Sequence, residues 1–140
     1  MITLGRLHHV SIVTNNLEAS RHFYCAVLGM EEVERPPTFH FKGQWFRKNG
    51  YEVHTIFKDA AGQVAGDVEN NIRPGRDITF ARHFCFSVNS VEETVKTLQE
   101  HGVELIAGPR ARGDGGTQIY VYDPDGHMVE LVYEPWDWEQ

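Results

Sequence analysis

The run His83-Phe84-Cys85-Phe86-Ser87-Val88-Asn89-Ser90-Val91-Glu92 repeats, in kind and in order, the earlier run His9-Val10-Ser11-Ile12-Val13-Thr14-Asn15-Asn16-Leu17-Glu18. Each is an apolar strand that opens on a histidine and leads into a residue able to cap a helix. The two copies also end alike, with Asn49-Gly50-Tyr51-Glu52-Val53-His54 in the first and Asp125-Gly126-His127-Met128-Val129-Glu130 in the second. The four aligned positions hold His9, His54, His83 and Glu130, all residue types that bind metal. A module that recurs with its potential ligands in register says more about fold and site than any single histidine.

Working outward from these runs gives the element order. Leu7 to Val13 reads as a strand. Asn16 caps a helix to about Leu28, with the apolar stripe Leu17, Phe23, Val27 and Leu28, and Gly29 stops it. Met30 to Glu34, Phe39 to Phe46 and Tyr51 to Phe57 read as strands separated by the Pro36-Pro37 and Asn49-Gly50 turns. The second copy follows the same plan. Phe80 to Val88 is a strand, Ser90 caps a helix to about His101, and Gly102 ends it. Strands follow over Glu104 to Ala107, Gln118 to Tyr122 and Met128 to Tyr133, the last after the turn Asp123-Pro124-Asp125-Gly126. The predicted fold class is therefore α+β, with two paired βαβββ modules forming a curved mixed sheet around a metal-binding cavity. One domain spans 1–140, with module 1 at about 5–58, a connector at about 59–78 and module 2 at about 79–134. The connector is polar, with glycines and Pro74, and reads as a lid, a crossover or a dimer contact.

Strand alternation sorts the faces. His9, Ser11 and Val13 share one side of their strand, and His83, Cys85 and Ser87 share one side of theirs. The bulky set Phe84, Phe86 and Val88 points the other way, so the helix is expected there and the histidine face is left to form the cavity. His54 and Glu130 fall in step with Glu52, Ile56 and Val132, and Glu52 could take the place of His54 as ligand. His8 is expected on the opposite face from His9, while His22, His40, His101 and His127 lie out of register and read as solvated.

Composition limits the partners. The formal net charge of -7 argues against nucleic acid and anionic membrane surfaces, and no run is apolar enough to span a bilayer. Met1 to Leu7 lacks a signal-peptide pattern, and Cys25 and Cys85 read as reduced thiols, so a cytoplasmic protein is expected. Three imidazoles with one carboxylate suit Zn, Ni, Co, Mn or Fe(II) rather than Ca or Mg. Such an ion can capture two adjacent substrate oxygens and stabilise an enediolate, with Glu130 as the proton-transfer residue. Trp45, Arg47, Arg82 and Cys85 are candidate substrate contacts. For the two arginines the alternative is a solvated surface, and for Trp45 it is core packing.

The module order, the ligand register and the run Tyr122-Asp123-Pro124-Asp125-Gly126-His127-Met128-Val129-Glu130-Leu131 resemble the vicinal oxygen chelate superfamily of glyoxalases, bleomycin resistance proteins and extradiol dioxygenases. The run Phe39-His40-Phe41-Lys42-Gly43-Gln44-Trp45-Phe46, followed by Val53-His54, is similar to a glyoxalase-like subgroup with a Phe-x-Gly-x-Trp segment before a strand histidine. The resemblance covers Leu7 to Tyr133 and implies His9, His54, His83 and Glu130 as metal ligands, in a chain that is commonly a homodimer. It implies lyase or isomerase chemistry on a small vicinal-oxygen substrate, with an Fe(II) extradiol-type dioxygenase or a small-molecule binding or resistance protein without turnover as alternatives. It does not extend to glutathione, because Val13 stands where glyoxalase I carries its anchoring arginine. Leu131 to Gln140 likewise lacks the basic residue that fosfomycin-modifying relatives carry. The tail Glu134-Pro135-Trp136-Asp137-Trp138-Glu139 offers two tryptophans for a dimer contact.

Overall fold

Strand pairing sets the two halves out as separate four-stranded sheets. The computed structural model describes residues 1–61 and 81–138, and the chain divides into two compact units, Met1–Gly66 and Asp67–Gln140. The connector expected at about 59–78 lies almost wholly outside the described residues, as does Phe80.

The first unit runs β1 (His9–Thr14), α1 (Leu17–Arg21) with a π-helical continuation (His22–Val27), β2 (Glu31–Val33), β3 (Gly43–Lys48), β4 (Tyr51–Phe57) and the short α2 (Lys58–Ala61). Its sheet order is β1-β4-β3-β2, with β1 parallel to β4 and the other pairs antiparallel. The second unit repeats this with β5 (His83–Ser87), α3 (Val91–Glu100), β6 (Ala107–Ala111), β7 (Thr117–Tyr122), β8 (Met128–Tyr133) and a terminal α4 (Pro135–Trp138). Its order is β5-β8-β7-β6, with β5 parallel to β8. Each unit is thus the expected βαβββ module.

Local chemistry explains the boundaries. The side chains of Asn16 and Ser90 accept hydrogen bonds from the amides of Ala19 and Glu93, so both helices begin where the repeat places their caps. Asn49 and Gly50 both adopt positive φ, 48° and 82°, which turns β3 back into β4. In the second unit the Asp123 carboxylate accepts from the amides of Asp125 and His127, both at 2.9 Å, and closes the turn into β8.

Two expected strands are displaced. Phe39 to Lys42 do not join β3, because Phe39 closes a turn on the Pro36 carbonyl and the Arg35 guanidinium donates to the Phe41 carbonyl. The strand expected at Glu104 to Ala107 instead starts at Ala107 and continues to Ala111, through a register shift between Ala107 and Arg110 that spans Pro109. The first helix is α-helical only to Arg21 and widens to a π-helix beyond it.

In the first unit the helix lies on the face that carries Thr14, Gln44, Phe46, Val53 and Thr55. The Tyr24 and Phe46 rings stack at 5.3 Å, both fully buried. Beneath them is a polar clamp. Thr14 and Ser20 share a buried hydroxyl bond of 2.7 Å, while Thr55 donates to Gln44 and Gln44 donates to the Leu17 carbonyl. Every member is satisfied, so the clamp ties helix to sheet, and loss of one partner costs about 1–3 kcal/mol. In the second unit Ile119, Val121, Val129 and Leu131 are buried on the matching face. Among the described residues no helix is long and apolar enough to cross a membrane.

Three substitutions test this account. Asn16→Ala and Ser90→Ala should each lower unfolding free energy by about 1 kcal/mol in chemical denaturation, and a zero effect at either position would refute its cap. A Cβ on Gly43 would stand 2.3 Å from the Thr55 carbonyl oxygen and 3.0 Å from Arg35 Nη1. Gly43→Ala should therefore destabilise by about 1–3 kcal/mol, whereas a stability within error of wild type would show that β3 and β4 lie farther apart.

Candidate metal and substrate site

The cross-strand register of β1, β4 and β3 places the site residues of the first unit on one face. His9 pairs with Glu52 and Ser11 with His54, and on the other side Trp45 pairs with His54 and Arg47 with Glu52. This is the face away from the helix, as the alternation predicts. The rings of Trp45 and His54 stack at 4.4 Å with an interplanar angle of 6°. The opposite side of His54 stacks on His9 at 4.0 Å and 16°. Phe39 packs edge-on to Trp45 at 5.2 Å, so the segment before β3 reaches the histidines through an aromatic wall. Trp45 therefore lines the histidine face rather than filling the core.

Glu52 is only 8% exposed and accepts from Arg47 Nε at 2.6 Å and from His54 Nε2 at 2.7 Å. Burial pushes its carboxyl up, but the hydrogen bonds from His54 and Arg47 outweigh this and hold it below the ordinary value. Burial likewise lowers His54, against the pull of Glu52. Arg47, a candidate anion contact for substrate, pairs through Nε with Glu52. His8 was expected on the opposite face, yet its Nδ1 lies 2.8 Å from His9 Nδ1, so one of the two atoms carries a shared proton.

In the second unit β5, β8 and β7 bring His83, Cys85, Glu130, Gln118 and Tyr120 to one face. Cys85 and Tyr120 flank Glu130 on its two neighbouring strands. His83 donates from Nδ1 to the Ala81 carbonyl at 2.6 Å, and its Nε2 lies 3.5 Å from Glu130 Oε2. Gln118 donates to Glu130 Oε1 at 2.9 Å. Burial raises the Glu130 carboxyl, while hydrogen bonds from Cys85, Tyr120 and Gln118 and the nearby His83 bring it below the ordinary value. The same setting pushes Tyr120 up to about 12, through burial first and Glu130 second, and raises the Cys85 thiol for the same two reasons. Arg82 is exposed at the entry to β5, and both Cys25 and Cys85 are free thiols.

The donor chemistry suits a divalent ion. With Nδ1 donating to the Ala81 carbonyl, His83 presents Nε2 at 3.5 Å from Glu130 Oε2, and an imidazole nitrogen beside a carboxylate oxygen is a donor pair that suits a cation. A histidine whose outer nitrogen is fixed by a carbonyl or carboxylate is the usual form of a metal-binding imidazole. Each unit by itself offers a pair of candidate donors, His9 with His54 in the first and His83 with Glu130 in the second. Among the described residues no three or more His, Cys, Asp or Glu side chains stand together in a closed ligand cluster. The spacing of the sequence did not place Gln118, Tyr120 or the Ala81 carbonyl beside Glu130 or His83. Pairing β7 with β8 across the Asp123 turn would have found the first two.

Comparison with known proteins places this geometry. Residues 6–131 match the family described as the Glyoxalase/Bleomycin resistance protein/Dioxygenase superfamily. A relative from Arabidopsis thaliana, Glyoxylase I 4, is 27% identical over 91% of this chain and 70% of its own length. Mitochondrial methylmalonyl-CoA epimerase from Bos taurus is 29% identical over 91% of this chain and 74% of its own. The crystal structure of a glyoxalase/dioxygenase from Nostoc punctiforme superposes with a TM-score of 0.75 at 26% identity, covering 93% of this chain and 91% of the other. The chain belongs to the glyoxalase/bleomycin resistance protein/dioxygenase superfamily.

Proposed function

We propose that this protein is a metal-dependent, glyoxalase-like lyase or isomerase acting on a small vicinal-oxygen substrate. His9, His54, His83 and Glu130 would hold the ion, with Zn, Ni, Co, Mn and Fe(II) all compatible with this donor set. Bound there, the ion supplies Lewis-acid capture of two adjacent substrate oxygens and stabilises the negative charge that develops on them. The observation that carries the reading is the Glu130 carboxylate. It is 8% exposed and held by Gln118, Tyr120 and Cys85, with Oε2 3.5 Å from His83 Nε2. Three neutral donors fix the group without neutralising its charge, so a Glu130 oxygen released from the ion can take a proton from a carbon next to a carbonyl and return it. Proton removal and return at carbon is the step that a lyase or epimerase of this kind needs, and the epimerase among the relatives is named for such a reaction. A small-molecule substrate in a cytoplasmic homodimer completes the reading, the dimer resting on Trp136 and Trp138, which are 49% and 46% exposed.

One observation supports a second reading. Tyr120 lies against both Glu130 and His83, its ring 5.6 Å from the His83 ring, which supplies the phenol that extradiol-type oxygen chemistry on a catechol would use.

Elemental analysis of untagged protein should find near-stoichiometric divalent metal in wild type and none in the His9→Ala/Glu130→Ala double variant. Equal metal in both, or none in wild type after reconstitution with each ion, would sink the proposal. Glu130→Gln should slow solvent-deuterium incorporation into hydroxyacetone by at least about 100-fold, the contribution expected of a positioned acid–base group. Oxygen uptake with catechol and Fe(II), without deuterium incorporation, would replace the lyase or isomerase reading with the dioxygenase one.

A further inference from the structure

The two units share a scaffold, so their matching positions can be compared residue by residue. His54 and Glu130 occupy equivalent places, with Trp45 and Tyr120 as their respective cross-strand partners. Two residues before each, the matching pairs are Arg47 with Glu52 in the first unit and Tyr122 with Met128 in the second. One copy of the scaffold is therefore stable with an apolar pair here, Met128 being 1% exposed. The ion pair in the other copy is not something the fold requires. It also places a buried carboxylate on a histidine, where a structural role alone would be served better by the apolar pair.

The contacts around His54 define what the ion pair does. A carboxylate only accepts, so the 2.7 Å contact from Glu52 Oε1 requires a proton on His54 Nε2. Arg47 Nε, 2.6 Å from Glu52 Oε2, engages the other oxygen and keeps the carboxylate oriented. Trp45 and His9, stacked on the two ring faces at 4.4 Å and 4.0 Å, oppose rotation of the ring out of its plane. A neutral imidazole protonated at Nε2 has its lone pair on Nδ1. In the second unit the arrangement is reversed, because the Ala81 carbonyl fixes the proton of His83 on Nδ1 and leaves Nε2 as donor.

We propose that Arg47 and Glu52 are positioning residues that lock His54 in its Nε2–H tautomer and make Nδ1 its metal-donor atom, opposite to His83. The tautomer stands on contacts within the first unit. The donor role rests on the reading of His54 as a ligand given above. The pair also accounts for Arg47 without a substrate contact, since the guanidinium acts through Glu52.

The test uses metal-free and Co(II)-titrated full-length protein. Long-range proton–nitrogen NMR of the metal-free protein should show His54 protonated at Nε2. Glu52→Gln, whose amide can either donate or accept, and Glu52→Met, the residue of the second unit, should both admit the Nδ1–H form. Arg47→Gln, a change at the surface, should shift the tautomer in the same direction and carries the test if a Glu52 variant fails to fold. Co(II) affinity, followed through the d–d absorption, should fall about 10–100-fold in the Glu52 variants, the effect usual for an outer partner of a ligating histidine. An Nδ1–H ring in wild type would overturn the proposal. So would variants that keep both the wild-type tautomer and the wild-type affinity. If Glu52→Met abolishes Co(II) binding while His54→Gln retains it, Glu52 is itself the ligand and the positioning role is wrong. Wild-type protein with the Nε2–H tautomer but no Co(II) binding would overturn the metal-dependent function and leave the tautomer assignment standing.

Discussion

Cross-strand register is the constraint on which everything else in this protein depends. Side chains alternate along a strand, so a slip of one residue in β4 would carry His54 and Glu52 into the helix-packed core and bring Val53 and Thr55 out. The register is fixed at the turns. Asn49 and Gly50 reverse the chain through two positive φ values, and Asp123 gathers two amides onto one carboxylate oxygen. Each turn leads directly into the strand that carries a candidate ligand. The turn residues therefore govern site geometry without touching the site.

The two faces of the first sheet solve opposite problems with polar groups. On the helix side Thr14 pairs with Ser20, while Thr55, Gln44 and the Leu17 carbonyl form a neutral chain of hydrogen bonds. On the other side the groups are ionisable: Arg47 and Glu52 orient His54, and His8 and His9 share a proton between their Nδ1 atoms. The same contrast holds in the second unit, where Glu130 is surrounded by donors while Val129 and Leu131, its neighbours in sequence, are buried among apolar residues. A buried carboxylate that keeps its charge is stable only when several donors converge on it, and both Glu52 and Glu130 meet that condition.

The repeat made much of this legible in the sequence. Comparing the two copies identifies the caps Asn16 and Ser90, the helix stops, the final strands and the face of each candidate ligand. Strand entries were harder to read where proline intervenes. After Pro36-Pro37 the backbone does not enter the ladder until Gly43, so Phe39 to Lys42 fall outside β3, and β6 runs on past its expected end through Pro109, where its register shifts. Contacts between strands were less legible still. Spacing along one strand placed Glu52 beside His54 but could not say which group donates, that Arg47 would hold Glu52, or that Gln118 and Tyr120 would converge on Glu130. Those facts depend on the neighbour across the ladder, which a single strand's pattern does not contain.

Stability and chemistry lie on opposite sides of one pleat, and this bears on how such a chain changes over generations. A substitution at Tyr24, Phe46 or Gln44 disturbs a packed, mutually satisfied layer, so selection for folding holds those positions. A substitution at an exposed, ionisable position of the histidine face, such as Arg47, alters what the protein does more than whether it folds. Duplication doubles this latitude. The two copies already differ there, with an ion pair at Arg47 and Glu52 against Tyr122 and Met128, while the order of their strands is the same. The architecture lets activity drift while the fold stays fixed, and each half can diverge on its own.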